Sequence, residues 1–309
     1  MTKAVELGAT LYIPVQHPRL AEVLAGANPD LRSVVICLED SLHETEVGAA
    51  QEVFRATLRM LEGAPPKLIA YARPRGPEML GWMLAQPGIE RLAGFVLPKI
   101  TTANLADWLA RLDSPRHGIM PTIESTEAFD RAAMMQMARA LAPLGERVHA
   151  VRIGGNDILN QLGVRRSRTR TAYDTPLGLA IATMGSVFLP EGLALSAPVF
   201  EHYALTDLLR EEVARDIEHG LLTKTAIHPS QVPIIHDLLR PAPAEVEEAR
   251  AILAAEARAV FGHGGSMLEP TTHARWAAGV LDRARVHAPR TAAPRAPAPR
   301  RPQAPTRVA

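Results

Sequence analysis

Residues 33–44 read SVVICLEDSLHE, and this stretch decides the fold. Ser33 to Leu38 is a short apolar run rich in β-branched side chains, with no polar alternation. Such a run suits a strand buried on both faces, as in a parallel sheet covered by helices. Glu39 and Asp40 then arrive together. A strand that stops in two adjacent carboxylates has reached an edge where charge is wanted.

Seven more runs of this kind punctuate the chain: TLYIPVQ (10–16), LIAYAR (68–73), GFVLPK (94–99), GIMPTIE (118–124), HAVRIGGND (149–157), LALSAPVFE (193–201) and TKTAIHP (223–229). Between them lie segments with apolar residues at helical spacing. The stretch 45–63 ends on a glycine, 125–145 opens on Ser125 or Thr126 as a cap, and 206–220 opens on Thr206 or Asp207 and stops at Gly220. Strand–helix alternation implies parallel strands, because each crossover must travel back along a helix. Eight such units predict a closed (β/α)8 TIM barrel of the α/β class, with an open doubly wound sheet as the alternative.

In parallel barrels the C-terminal strand ends and the loops after them form the active site. Here those ends read Gln16, Glu39–Asp40, Arg73, Lys99, Glu124, Asp157, Glu201 and His228. Polar loops alone would explain one or two of these. They explain poorly a set of acids interspersed with an Arg and a Lys. Glu124 and Asp157 end neighbouring strands, which lie about 4.8 Å apart, so both carboxylates could reach one cation. Two carboxylates with room for water and substrate oxygens suit Mg²⁺. Gly154 and Gly155 would let the backbone approach a ligand closely. The competing reading makes Asp157 a helix cap only. Scattered histidines offer no zinc spacing, and neither a phosphate-binding glycine fingerprint nor a serine elbow is present.

The bulk numbers agree with an ordinary globular protein: 309 residues, 47% hydrophobic, 22% charged and net charge +1. That charge gives no general pull toward nucleic acid or membrane, and no uninterrupted apolar run approaches about 18 residues. The neutrality hides an asymmetry. Residues 288–309 hold five Arg, six Pro and no acid, which leaves 29 basic against 33 acidic residues in 1–287. This Pro/Arg-rich tail is expected to be disordered. It could touch RNA, lipid or an acidic partner, although a solvated extension is the simpler reading. The expected organisation is a barrel over 1–240, a C-terminal helical extension over 241–287 packing on the barrel or a neighbouring subunit, and the tail. Cys37 is the single cysteine, so no internal disulfide can form. With no signal-like apolar run near the start, a reducing cytoplasm is the expectation.

The motifs LYIPV, CLEDSLHETE, YARPRG, FVLPKI, MPTIEST, RIGGNDI and TKTAIHPSQV, in this order, resemble the citrate lyase beta-subunit-like branch of the HpcH/HpaI aldolase superfamily. The likeness runs from about residue 9 to 286. It implies a TIM barrel that uses Mg²⁺ or Mn²⁺ to make or break carbon–carbon bonds beside a keto or thioester carbonyl, assembled as a homotrimer or homohexamer. By the same resemblance, Glu124 and Asp157 are metal ligands and Arg73 holds the substrate carboxylate. Glu39 and Asp40 sit close to the water on the metal, and Lys99 is a basic residue near the pocket. The segment GSMLEPTTHARWAAGVLDRA (265–284) resembles an element that reaches a neighbouring subunit's site, with Glu269 where the family usually has an Asp acting on the enolate carbon.

The chain also departs from that pattern. PVQHPR follows the first strand where members that take coenzyme A often have Pro-Gly, and Glu269 carries an extra methylene. Arg165, Arg166, Arg168 and Arg170 crowd the loop after Asp157. That loop could grip a phosphate or a second carboxylate, or be a solvated loop or a subunit contact. The departures count against a thioester and leave room for a phosphorylated or polycarboxylate substrate. The expected function is a Mg²⁺-dependent lyase acting through an enolate on a small keto acid or an acyl-CoA thioester. The alternatives are a non-catalytic binding barrel and a phosphoenolpyruvate-type enzyme. Lys99, among carboxylates, should stay protonated and make a poor Schiff-base nucleophile.

Overall fold

The computed structural model describes residues 3–40, 42–112 and 115–288. Eight parallel strands follow one another around a ring: β1 (Ala9–Pro14), β2 (Ser33–Cys37), β3 (Ile69–Arg73), β4 (Gly94–Leu97), β5 (Gly118–Ile123), β6 (Val151–Ile153), β7 (Leu195–Ser196) and β8 (Lys224–Ala226). β1 pairs with both β2 and β8. A parallel bridge between Ala197 and Lys224 joins β7 to β8 and closes the ring. This is the expected TIM barrel. Its last strands are shorter than the apolar runs, because only their central residues keep regular ladder bonds.

Alternation along each strand sorts the side chains. On β2, Val34 and Ile36 face the helices, and with Ala70, Ala72, Phe95, Leu97 and Ile119 they build the main core. Val35, Tyr71, Val96, Met120 and Ala150 face inward and close the bottom of the barrel as a separate apolar layer, sealed from below by Leu7. Two residues further along each strand, the inner face turns polar. There stand Cys37, Arg73, Thr122 and Arg152, and beyond them Glu39, Glu124 and Gly154.

The helices cover the outside as the spacing predicts, with different ends. The segment 125–145 breaks into a 3₁₀ turn (Thr126–Phe129) and the helix Arg131–Leu141. Ser125 accepts from the amide of Glu127, but Asp130 caps the helix proper, accepting from Ala132 and Ala133. The helix Thr206–Glu218 has Leu205 at its cap position, so neither Thr206 nor Asp207 serves there.

Beyond residue 240, the helix Pro243–Leu253, a small antiparallel pair β9 (Phe261–His263) and β10 (Ser266–Leu268), and the helix Pro270–Val286 follow. Ala249, Ile252, Leu268, Ala277 and Val280 form their own core. The last helix lies at the end of the barrel where strands begin: Arg275 bonds the carbonyl of Leu189, shortly before β7, and Lys3 pairs with Asp282. The Pro/Arg-rich tail from 289 onward lies outside the described residues.

Candidate active site

The polar inner layers open into a cavity of about 350 Å³ at the C-terminal ends of the strands, lined by Asp40, Arg73, Glu124, Arg152, Gly155 and Asp157 among others. The charged groups in and beside it fall into three sets.

The first is a closed quartet. Lys99 Nζ donates to Glu39 Oε1 at 2.6 Å and to Asp40 Oδ1 at 3.0 Å. Arg73 Nη2 lies 2.6 Å from Glu39 Oε2 and 3.1 Å from Asp40 Oδ2. Two cations and two carboxylates thereby neutralise one another. Burial pushes the Glu39 carboxyl up, against the pull of Arg73. Burial acts the same way on Asp40, but bonds from its neighbours overcome it and hold that carboxyl below the usual range. Lys99 is held protonated: partial burial opposes its charge, and the bonds to Glu39 and Asp40 prevail. The adjacent carboxylates of the opening motif thus serve to anchor two cations from β3 and the end of β4.

The second set is Glu124 and Asp157. Glu124 directly follows β5 and is 4% exposed. The Lys99 amide donates to its Oε1 at 2.6 Å. Lys99 adopts a φ of 52°, the one positive φ of a non-glycine among the described residues. Asn104 Nδ2 donates to the Lys99 carbonyl at 2.8 Å and secures this strained turn. Gln161 Nε2 bonds the Glu124 carbonyl at 2.8 Å, tying the strand end to the helix Gly155–Gln161. Asp157 is not at the end of β6, which stops at Ile153. It stands in the first turn of that helix, because Gly154 and Gly155 turn the chain at once. A Cβ on Gly154 would fall 2.6 Å from Glu124 Oε2, so only glycine lets the carboxylate lie there. Burial, and next the charge of Asp157, push the Glu124 carboxyl up to about 8.

Two carboxylates that repel each other in a half-closed cavity fit a divalent cation. They do not make a zinc site: among the described residues no group of three or more His, Cys, Asp or Glu could hold an ion. Two oxygen-donor side chains with space left for water and ligand oxygens match the demands of Mg²⁺.

The third set is Arg152 alone, which the sequence reading did not single out. It is 1% exposed, on β6. Its Nη2 donates to Thr225 Oγ1 at 2.6 Å and its Nη1 points to Met120 Sδ at 3.4 Å. The guanidinium carbons of Arg152 and Arg73 each lie 5.2 Å from the ring centre of Tyr12. The signal was available: a lone Arg inside the apolar run AVRI is costly unless it has a task.

Other expected residues lie elsewhere. Arg166 turns away from the cavity, ion-pairs with Glu212 and stacks over Phe200. Glu212 and Asp216 also hold Lys224 of β8, at 2.9 and 2.8 Å, and all these side chains are buried. Arg168 reaches His202, and Arg165 pairs with Glu201 at the rim. The expected grip of Arg166 on substrate is therefore corrected, because a buried carboxylate takes it up; Arg168 and Lys99 are not among the residues that line the cavity with Arg73. Glu269 stands at the N-cap position of the helix Pro270–Val286 without a side-chain capping bond, and its amide donates to His273 Nδ1. Because that helix lies at the opposite end of the barrel, Glu269 does not join the site of its own chain.

The model of the family described as C–C bond lyase of the TIM-barrel fold matches residues 1–288. A (3S)-malyl-CoA thioesterase of Cereibacter sphaeroides is 26% identical over 270 residues, covering 84% of this chain and 87% of that protein. An L-malyl-CoA/beta-methylmalyl-CoA lyase of the same organism is 23% identical over 280 residues, covering 83% and 86%. Among solved structures, CitE from Mycobacterium tuberculosis in complex with magnesium, acetoacetate and coenzyme A superposes with a TM-score of 0.68 at 20% identity, over 91% of this chain and 99% of that one. The citrate lyase beta subunit of M. tuberculosis complexed with oxaloacetate and magnesium gives 0.60 at 19% identity, over 77% and 99%. The chain thus belongs to the C–C bond lyase family of the TIM-barrel fold, within the citrate lyase superfamily that its motifs resemble.

Proposed function

We propose that the protein is a Mg²⁺-dependent carbon–carbon bond lyase acting on a small 2-oxo acid or an acyl thioester. The observation that carries this reading is the convergence of Glu124, Asp157 and Arg73 on one cavity. When bound, the divalent cation, Mg²⁺ or Mn²⁺, supplies Lewis-acid stabilisation of the negative charge that develops on the carbonyl oxygen as the neighbouring bond breaks.

Glu124 and Asp157 would hold that ion. Arg73 presents a planar fork to the substrate carboxylate, sharing it with Glu39 and Asp40. Glu39, with both oxygens bonded to Lys99 and Arg73, orients those two cations, and Asp40 is the carboxylate of the pair that lines the cavity. Lys99 keeps the pair of acids in position through its ammonium group and aligns Glu124 through its amide. Gly155 lines the cavity, while the space left by its missing Cβ is taken by Leu177 and Pro198. Glu269 reaches the reacting carbon from a neighbouring subunit of a homotrimer or homohexamer, since its own chain holds it at the far end of the barrel.

Magnesium in the neighbouring structures supports the cation, and the malyl-CoA relatives support a thioester as one substrate class. A phosphoenolpyruvate-type reaction is favoured less, because Arg166 of the loop that suggested it is buried against Glu212, and Arg165 and Arg168 reach Glu201 and His202. The lone cysteine is buried, in keeping with a reducing cytoplasm.

The test is a turnover screen with Mg²⁺ across small 2-oxo acids and hydroxyacyl-CoA esters. Cleavage by the wild type that is absent in Glu124→Ala and Asp157→Ala is expected. Metal bound with no turnover of either class would favour a binding barrel instead.

A further inference from the structure

Counting charge around the cavity leaves one group unbalanced. Arg73 and Lys99 are matched by Glu39 and Asp40. Glu124 and Asp157 would be matched by the proposed divalent cation. Arg152 remains, with no carboxylate partner given by the ion pairs of the described residues and a thioether, a hydroxyl and the Tyr12 ring around it. A buried guanidinium without a counter-charge is expensive to keep.

Its surroundings are unfinished in the same sense. In the ladder, Arg152 stands opposite Thr122 on one side and Ser196 on the other. The hydroxyls of both are buried and have no hydrogen-bond partner. Buried polar groups are nearly always paired, so two orphans flanking an unpaired cation mark a place that something else completes. Arg152, Thr122 and Thr225 all line the cavity. They lie one layer below Glu124 on the inner face, just above the apolar floor of Val35, Tyr71, Val96 and Met120.

We infer that Arg152, with Thr122 and Thr225, is a specificity-determining site for a second anionic group on the substrate, a carboxylate or phosphate pointing down the barrel axis. This rests on the proposed metal site, which would hold the first carboxylate. Two guanidinium carbons equidistant from Tyr12 can be no farther apart than twice 5.2 Å. A small acid with an anionic group at each end can therefore touch both. The ligand class is a short 2-oxo or 2-hydroxy acid with a second anionic group. A simple monocarboxylate would leave Arg152 unanswered.

The test compares three 2-hydroxy acids by calorimetry with Mg²⁺ present: lactate, malate and 3-phosphoglycerate. All offer the same chelating end, and the last two add a carboxylate or a phosphate. Malate or 3-phosphoglycerate should bind about 10- to 100-fold more tightly than lactate, the range of a charge-assisted hydrogen bond. Whichever gains more identifies the second group. Arg152→Gln should remove that gain and leave lactate within about threefold of the wild type, a change of less than about 0.7 kcal/mol. Equal affinity of the wild type for all three acids overturns the inference, and this comparison needs no variant to fold. A preference retained in a folded Arg152→Gln overturns it too, as does binding of none at millimolar concentration. Loss of Mg²⁺ dependence with an Arg152-dependent preference intact would instead refute the metal site alone.

Discussion

In the proposed metal site Glu124 should couple proton loss to Mg²⁺ binding, and the size of the effect follows from its position. Burial and the neighbouring Asp157 raise its carboxyl from 4.5 to about 8. At about 1.36 kcal/mol per unit, this displacement corresponds to about 5 kcal/mol of unfavourable charge in the metal-free protein. At pH 7 only about one molecule in ten then carries the ionised form, and coordination requires that form. Mg²⁺ affinity should rise about tenfold per pH unit from pH 5 to about 8 and level off above. At pH 7 the cost of expelling the proton is about 1.4 kcal/mol. The sign for stability is opposite to that of an ordinary paired carboxylate. Between about 4.5 and 8 the folded state binds more protons here than the unfolded chain. Metal-free stability should therefore fall as pH rises through this interval, and saturating Mg²⁺ should cancel the fall. Calorimetry in buffers of different ionisation enthalpy counts the protons released: about 0.9 at pH 7 and near zero at pH 9.5. Glu124→Gln should release none and flatten the stability profile. Tight Mg²⁺ binding at pH 7 with no proton release would refute the reasoning.

Gly154→Ala should abolish Mg²⁺ binding while the circular dichroism spectrum stays that of the wild type, because the added methyl displaces Glu124 Oε2. Arg73→Lys should weaken substrate about 10- to 100-fold in a binding assay with Mg²⁺ affinity unchanged, since a point charge cannot supply the planar fork. Lys224→Met should lower the free energy of urea unfolding by about 3–5 kcal/mol, because it leaves the buried Asp216 with the Tyr173 hydroxyl in place of a cation and Glu212 with Arg166 as its remaining ion-pair partner.

The strands were legible because burial on both faces forces apolar runs that no surface element shows. Their polar ends were legible because eight runs shared them. The apolar neighbours of Arg152 signalled that it is buried, but not that it faces the barrel interior, since alternation tells which face of a strand a residue takes only once the strand's bounds are known, and β6 is three residues long. The Arg166 expectation failed for a different reason. Four arginines in one loop look alike in sequence, and the partner that removes Arg166, Glu212, is 46 residues away. The amide that aligns Glu124 was equally hidden: it depends on the backbone angle of Lys99, and a lysine gives no hint of a left-handed turn. Glu269 was found by resemblance only, and its placement opposite the cavity follows from the packing of a helix whose apolar face is completed by the helix Pro243–Leu253 and β10, and which is tied to the strand-start end of the barrel through Arg275 and Asp282.

The buried cluster of Arg166, Glu212, Lys224 and Asp216 joins the loop beside the cavity rim to the strand that closes the ring. A chimera that transplants this loop from a relative, to alter what the mouth accepts, would pull one member out of a dry ionic lattice. Such an exchange should succeed only when the helix Thr206–Glu218 and β8 travel with the loop as a single cassette.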